Sequence, residues 1–497
     1  MTRQTLGSPR SRQSRIASMG AALAALLVLA GCASTHGIKP QSSLASAQAL
    51  SVQRSLGETR VDASAWPAQD WWTRFGDPQL GQLVSEALAG SPSLQVALAR
   101  ARQATALAES ANAARSPRVD SSGSVTRERF AANGLVPPPF AGGWGYLDQL
   151  QATLSWDIDF WGKNRAAFEQ ALGQARAAEV DAQAARLALS VDIAHAYVQL
   201  VRAWLQLDVA QATVDQRERI FALTRDRNAA GIDSRLELKQ AEAAVSAARE
   251  QVTQWNETIE LTRNQIAALL GQGPDRGLSI ARPGPMAAAD AALPSQLPSQ
   301  LLGRRPDIIA QRWRVEATRR GIDVAQAQFY PDVNLTAFVG FQNLGTQGFL
   351  SLSSRQVGVG PALSLPLFDA GQRRANLAAA DAQYDAAVEQ YNQSLADALR
   401  DVVDQLTSFR SLARQRSDQQ QALAASRDAY DLALLRYREG IGNYLQVLSA
   451  EAPLLVQESL EADLRARALD LSINLVRALG GGFEQPGAPL AAATPQS

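Results

Sequence analysis

A single cysteine and two histidines in 497 residues leave this chain little of the chemistry used to hold metals or perform thiol catalysis. Cys32 has no intramolecular disulfide partner. His36 and His195 are far apart and the chain holds a single cysteine, so the sequence does not assemble a zinc-type ligand set. His195, within Ile193-Ala194-His195-Ala196-Tyr197, reads as a helix-packing residue. No phosphate-cradling glycine loop, nucleophile elbow or zinc-protease helix motif is present, and the sequence predicts no enzyme, no cofactor and no metal. Gly358 and Gly360 fall in a strand pattern with no helix signal after them, which excludes a dinucleotide loop. An excess of either charge is also missing, since Lys+Arg and Asp+Glu number 48 each. With that balance nothing points to nucleic-acid binding, which would want a basic excess.

Long apolar runs are absent as well. Ile16 to Ala30, after the arginines Arg3, Arg10, Arg12 and Arg15, is too short to span a bilayer and reads as the core of a signal peptide, residues 1–31. Its end, Leu29-Ala30-Gly31-Cys32, resembles a bacterial lipoprotein box. The resemblance implies cleavage after Gly31 and acylation of Cys32, palmitate included, with Ala33 favouring the outer membrane. More than one acyl chain anchors durably where a single chain does not. Without the four leader arginines, the mature chain carries 44 basic and 48 acidic residues, a net charge of −4.

From Gln372 to Glu439 there is neither glycine nor proline, and Lys163 to Ala230 is interrupted only by Gly173. Helices of that length extend about 100 Å at 1.5 Å per residue, far beyond globular norms, so they must pack as coiled coils or span something. Gly231 and Gly440 stop them, as left-handed caps at which the chain reverses into helices from about Ser234 to Leu270 and Asn443 to Leu479. Pro453, inside the second returning helix, predicts a kink or break.

The two long segments are copies. Leu154-Ser155 matches Leu363-Ser364, Gly231-Ile232 matches Gly440-Ile441, and Leu270-Gly271 matches Leu479-Gly480, all at an offset of 209. Upstream the offset is 214, with Pro92 and Pro117 matching Pro306 and Pro331. The chain is a tandem duplication. A lipidated segment (32–75) precedes repeats at 76–271 and 300–482, joined by a linker (272–299), and a disordered tail covers 483–497. Each repeat contains two strands of alternating character, near 119–130 and 148–161, and near 332–343 and 355–368. Leu150, Ala152, Leu154 and Trp156 alternate with Gln151, Thr153 and Ser155, the pattern of a sheet with one apolar and one polar face. Strands of about ten residues with Trp156, Phe160, Trp161, Phe338 and Phe341 towards their ends favour a membrane barrel over a soluble sandwich.

Four membrane strands cannot close a barrel alone, so several copies must contribute. Strand pairs, two very long helices and a duplicated lipoprotein resemble the outer-membrane factors of tripartite efflux pumps, in particular the lipoproteins serving resistance–nodulation–division (RND) transporters. The resemblance rests on Trp71-Trp72-Thr73-Arg74-Phe75-Gly76-Asp77-Pro78, Arg304-Arg305-Pro306-Asp307, Phe329-Tyr330-Pro331, Leu365-Pro366-Leu367-Phe368-Asp369-Ala370-Gly371 and Tyr437-Arg438-Glu439-Gly440. It implies an α+β membrane protein whose protomers, each with four transmembrane strands and long periplasmic helices, trimerise into a twelve-stranded β-barrel continued by an α-helical barrel. The implied partners are a periplasmic adaptor, an inner-membrane RND transporter and outer-membrane lipid. The implied function is a passive exit duct for drugs or other small toxic compounds. A duct for type I protein secretion, or a spacer lipoprotein without a pore, are the alternatives, and the lipoprotein box and the strands weigh against them in turn. The resemblance also implies a closed end at the turns of Gly231 and Gly440. There Glu237 and Tyr437 correspond to an acid and a tyrosine linking helix pairs, and Leu445 to a lumen-facing leucine. Ser449 stands where the family often has an aspartate.

Overall fold

The computed structural model describes residues 35, 37–46, 50–51, 53–56, 66–288, 303–345, 347–365 and 368–484. The leader, Cys32 and His36 lie outside the described residues, as does most of the tail. After two short helical turns (Gln53–Leu56 and Trp71–Phe75), helices α1 (Pro78–Gly90) and α2 (Pro92–Ala113) lead to strands β1 (Arg118–Arg129) and β2 (Trp144–Asp157). The long helix α3 (Lys163–Ala229) and its return α4 (Arg235–Leu269) complete the first repeat. The second runs through α5 (Pro306–Ala327), β3 (Asp332–Leu344), β4 (Arg355–Ser364), α6 (Gln372–Arg438) and α7 (Tyr444–Ala478). The symmetry of the sequence is carried into length: α3 and α6 have 67 residues each, α4 and α7 have 35 each. Among the described residues no helix is long and apolar enough to cross a membrane.

The chain divides into two compact units, and the one comprising residues 1–44, 102–177 and 311–391 contains the sheet. The strands pair antiparallel in sequence order, β1-β2-β3-β4. Leu154 faces Val119 on one side and Ala337 on the other, which in turn faces Val359, so the apolar rows of all the strands share one face. That face is bare: Val119, Leu150, Val339, Val357, Val359 and Leu363 are all exposed. On the other face a polar row is stitched together, Gln149 Nε2 donating to Gln151 Oε1 (2.7 Å) and Gln151 Nε2 to Thr153 Oγ1 (2.9 Å). Strand β1 is exposed along all 12 residues within the protomer, where β2 is its one strand partner. β2 begins at Trp144, earlier than the alternation suggests, and ends at Asp157 because Asp159 folds back to accept the Asn164 and Arg165 amides and start α3. Gly173, the interruption in α3, lies against α5, where a Cβ would come within 2.9 Å of the Ala317 Cβ. Gly173→Leu is therefore expected to force these helices apart and destabilise the protomer by about 1–3 kcal/mol in chemical denaturation.

The other unit (residues 45–101, 178–310 and 392–497) has its own core around Trp71, Leu80, Tyr197 and Ile266. The tryptophan-rich motif supplies its anchor. Trp71 packs edge-on against Trp72 and Phe75, while Asp77 caps α1 through the Gln79 amide and accepts the buried Tyr197 hydroxyl at 2.6 Å. In the Arg-Arg-Pro-Asp motif, Arg305 is buried and clamps Asp307 (2.7 Å), Asp401 (3.4 Å) and the Ala478 carbonyl (3.3 Å), tying the start of α5 to the end of α7. α3 is bound to α7 by Arg202 on Asp463 (2.7 Å) and by His195 Nδ1 on Asp470 (2.8 Å), the packing role read from its setting. Of the kink or break expected at Pro453, a break does not occur, and α7 runs continuously from Tyr444 to Ala478 through it. The ring is on the exposed side of the helix, with Glu451 and Leu454 buried on either side of it, so packing of the buried face holds the turn that lacks one amide.

Candidate functional site

Chain reversal at the ends of α3 and α6 is a matter of satisfying helix-end groups. Gly231 (φ 76°) returns the Ile232 amide to the Arg227 carbonyl at 2.9 Å, and Gly440 (φ 77°) does the same for Ile441 and Arg436 at 3.0 Å. The returning helices are then capped, α7 by Asn443, which accepts the Gln446 amide at 3.0 Å. At α4, Ser234 accepts the Leu236 amide and the Glu237 carboxylate accepts the Ser234 amide at 2.9 Å, a reciprocal capping box.

These reversals bring a charged cluster together. The Tyr437 hydroxyl donates to Asp233 Oδ2 at 2.6 Å and lies 2.9 Å from the Thr224 hydroxyl. Arg227 grips the same carboxylate through Nε (2.9 Å) and Nη2 (3.2 Å), gives Nη1–H to the Tyr437 carbonyl (2.9 Å) and lies 4.5 Å over the Tyr437 ring. The arginine and aspartate side chains are only 10% and 8% exposed. Burial pushes Asp233 up, but the bonds from Arg227 and Tyr437 outweigh it and hold the carboxyl below its ordinary value of 3.8. Burial, then the bond to Asp233, pushes the Tyr437 hydroxyl up to about 12. The two effects agree: Asp233 is the charged acceptor and Tyr437 the neutral donor. A lowered carboxyl contributes stability that is complete above the unfolded pKa and lost only as pH falls through the folded one, so the cluster is intact at neutral pH.

Tyr437 thus bonds Asp233, and Glu237, at the third position of α4, is drawn to its own helix end. Leu445 is 65% exposed, and Ser449, one turn on, is exposed too and gives its hydroxyl to the Leu445 carbonyl at 2.8 Å. Both lie on the side of α7 opposite buried Tyr444 and Val447. Sequence reasoning missed Thr224, Arg227 and Asp233. The usable signal was a divergence between the repeats: at the offset of 209, Asn228 meets Tyr437 and Asp233 meets Gly442, so this joint exists once per chain. Among the described residues no group of acids, histidines and cysteines is arranged to hold a metal ion.

The chain matches the family model described as outer membrane efflux protein over residues 83–272 and 297–481, one block on each repeat. It is 40% identical over 365 residues to the fusaric acid resistance protein FusA of Burkholderia cepacia, covering 73% of this chain and 69% of that one. It is 32% identical over 435 residues to the multidrug resistance outer membrane protein MdtP of Escherichia coli K12, covering 86% and 89%. Among solved structures, the outer membrane protein VceC of Vibrio cholerae aligns with a TM-score of 0.79 at 38% identity, over 84% of this chain and 100% of that one. The outer-membrane channel OprN aligns with the same TM-score at 30% identity, over 89% and 98%.

Proposed function

Because the chain belongs to the outer membrane efflux protein family, we propose that it is the outer-membrane channel of a tripartite efflux system, a trimeric exit duct for small toxic compounds. The observation that carries this is the two-faced sheet, apolar and bare on one side and polar on the other, with the outer edges of β1 and β4 unpaired. In lipid such edges are intolerable, and closure with other copies removes them. Three protomers give twelve strands, apolar face to lipid and polar face to a water-filled lumen. Cys32, with its acyl chains, adds an anchor. The duct itself holds no energy source. A periplasmic adaptor and an inner-membrane RND transporter supply the substrate and the drive, and the protein is a conduit rather than an enzyme. At the helix turns, the link from Tyr437 to Asp233 and Arg227 restrains the closed end. Leu445 and Ser449 line it, with Glu237 keeping α4 capped beside it.

The purified protein, reconstituted in a planar bilayer, is expected to give discrete conductance steps, and deletion of its gene to sensitise cells to several unrelated antibiotics. An intact trimer that never conducts would support the spacer lipoprotein instead.

A further inference from the structure

Where β2, β3 and β4 meet the starts of α3 and α6, the unit that contains the sheet encloses a half-open cavity of about 410 Å³. Its chemistry is mixed in a particular way. One wall is aromatic: Trp161 and Tyr330 stack with ring centroids 4.6 Å apart and planes 16° apart, both about half exposed, and Trp161 is fixed by its indole N–H to the Pro331 carbonyl (2.9 Å). The polar lining holds carboxylates from Asp159, Asp332 and Asp369 against two cations, Lys163 and Arg373, an excess of one negative charge. Lys163 reaches Asp332 at 2.8 Å and Arg373 reaches Asp369 at 2.6 Å.

The cavity sits at the end of the sheet and is lined from both of its faces, Asp332 and Ser364 continuing the polar rows and Ile158 and Phe160 the apolar one. Ile158 and Phe160 line it and continue the row of Leu154 and Trp156, the Ile158 amide extending the ladder to the Val333 carbonyl at 2.8 Å. Phe160 is 67% exposed and Trp156 37% exposed, so an apolar track leads from the cavity along the strand. A polar pocket at the foot of an apolar track has the form of a single phospholipid.

We propose that this cavity binds the headgroup of a phospholipid bearing a primary amine, phosphatidylethanolamine, one per protomer. The acyl chains lie along Phe160, Ile158 and Trp156. The phosphate is received by Lys163 and Arg373, and the ammonium supplies the cation that the lining lacks, hydrogen-bonded to Asp332 and set against the Trp161–Tyr330 stack. An anionic headgroup would add to the negative excess, and a quaternary amine has no N–H for the carboxylates. The site presupposes the membrane placement of the strands argued above.

The test is native mass spectrometry of the detergent-solubilised trimer with phosphatidylethanolamine, phosphatidylglycerol or phosphatidylcholine of matched chains. Up to three phosphatidylethanolamine molecules are expected to stay bound, preferred by about fivefold over either competitor. Trp161→Ala with Asp332→Asn is expected to abolish the preference in trimers whose mass shows them assembled. Headgroup-brominated phosphatidylethanolamine should quench a fluorescence component present in wild type and missing from Trp161→Phe. Equal retention of all three lipids, or a preference that survives the double variant, would overturn the site. Wild-type protein that conducts yet shows no preference overturns this inference alone, whereas a trimer that never conducts overturns the channel reading.

Discussion

Arg227→Ala is expected to raise the resting conductance of the reconstituted channel at least tenfold. The substitution takes away both guanidinium bonds to Asp233 and leaves a carboxylate that is 8% exposed with Tyr437 and its own turn as neighbours. Breaking a buried pair from one side costs about 3–5 kcal/mol, most of it the uncompensated charge. A shift of only about 1.4 kcal/mol in a two-state gate changes the open-to-closed ratio tenfold, and each trimer contains three copies of the joint. Arg227→Lys keeps the charge but not the two-pronged grip, and should fall between wild type and alanine. Tyr437→Phe removes one hydrogen bond to a charged acceptor, worth about 1.5–3 kcal/mol, and should open the channel less. Glu237→Ala should move conductance least, because its carboxylate serves the cap of its own helix. If Arg227→Ala conducts at rest like wild type, the cluster stabilises the turn without restraining the gate.

Gly480→Ala is expected to prevent recovery of folded trimer at 37 °C. The residue follows α7 with φ 90°, and a Cβ there would lie 2.0 Å from the Arg304 carbonyl oxygen and 2.8 Å from its carbon. Neither partner can yield, since both are backbone, and the adjoining Arg305 is locked by Asp307 and Asp401. The expected cost exceeds about 4 kcal/mol, in the range reserved for a few mechanisms such as this. Gly271 is its repeat counterpart, with φ 76° and a Cβ that would come within 2.4 Å of the Pro92 ring, and Gly271→Ala should be nearly as damaging. The control is Gly231→Ala, whose φ is also 76° but whose Cβ would meet nothing within 4 Å. It should cost only the left-handed strain of a non-glycine residue, about 1–2 kcal/mol. Equal thermal midpoints for Gly480→Ala and Gly231→Ala would rule out the close approach as the cause.

These two sites also mark how far the residues alone could be read. Helix length is written in composition, because a run from Gln372 to Glu439 without glycine or proline has no place to stop. Strand faces are written in alternation, and the duplication showed that Leu270-Gly271 and Leu479-Gly480 are one device used twice. What the device does was not legible, since the close approach to Pro92 or Arg304 depends on where a distant segment lands. The partner of Tyr437 was hidden for the same reason. Several acids lie near the turns, and which one the hydroxyl meets depends on backbone that Gly231 redirects and on Glu237 being occupied by Ser234. At Pro453 the break that a missing amide allows did not occur, because the packed side of α7 holds that turn.

The pairing of β2 with β3 has a consequence for how the ring is closed. β2 belongs to the first repeat and β3 to the second, so the middle of the sheet is a splice between one copy and the next. Carrying β2 forward by 209 residues gives β4, and carrying β3 back by 214 gives β1. The splice seen inside the protomer is therefore a template for the seam between protomers. If the seam keeps that register, the place of Leu150 opposite Phe341 falls to Val359 of one copy opposite Arg127 of the next. Val359→Cys with Arg127→Cys should oxidise into a covalently closed ring of three, while cysteines displaced by one residue, facing opposite sides of the sheet, should not. A chain that learned to join its own halves needed no second kind of edge to join its neighbours.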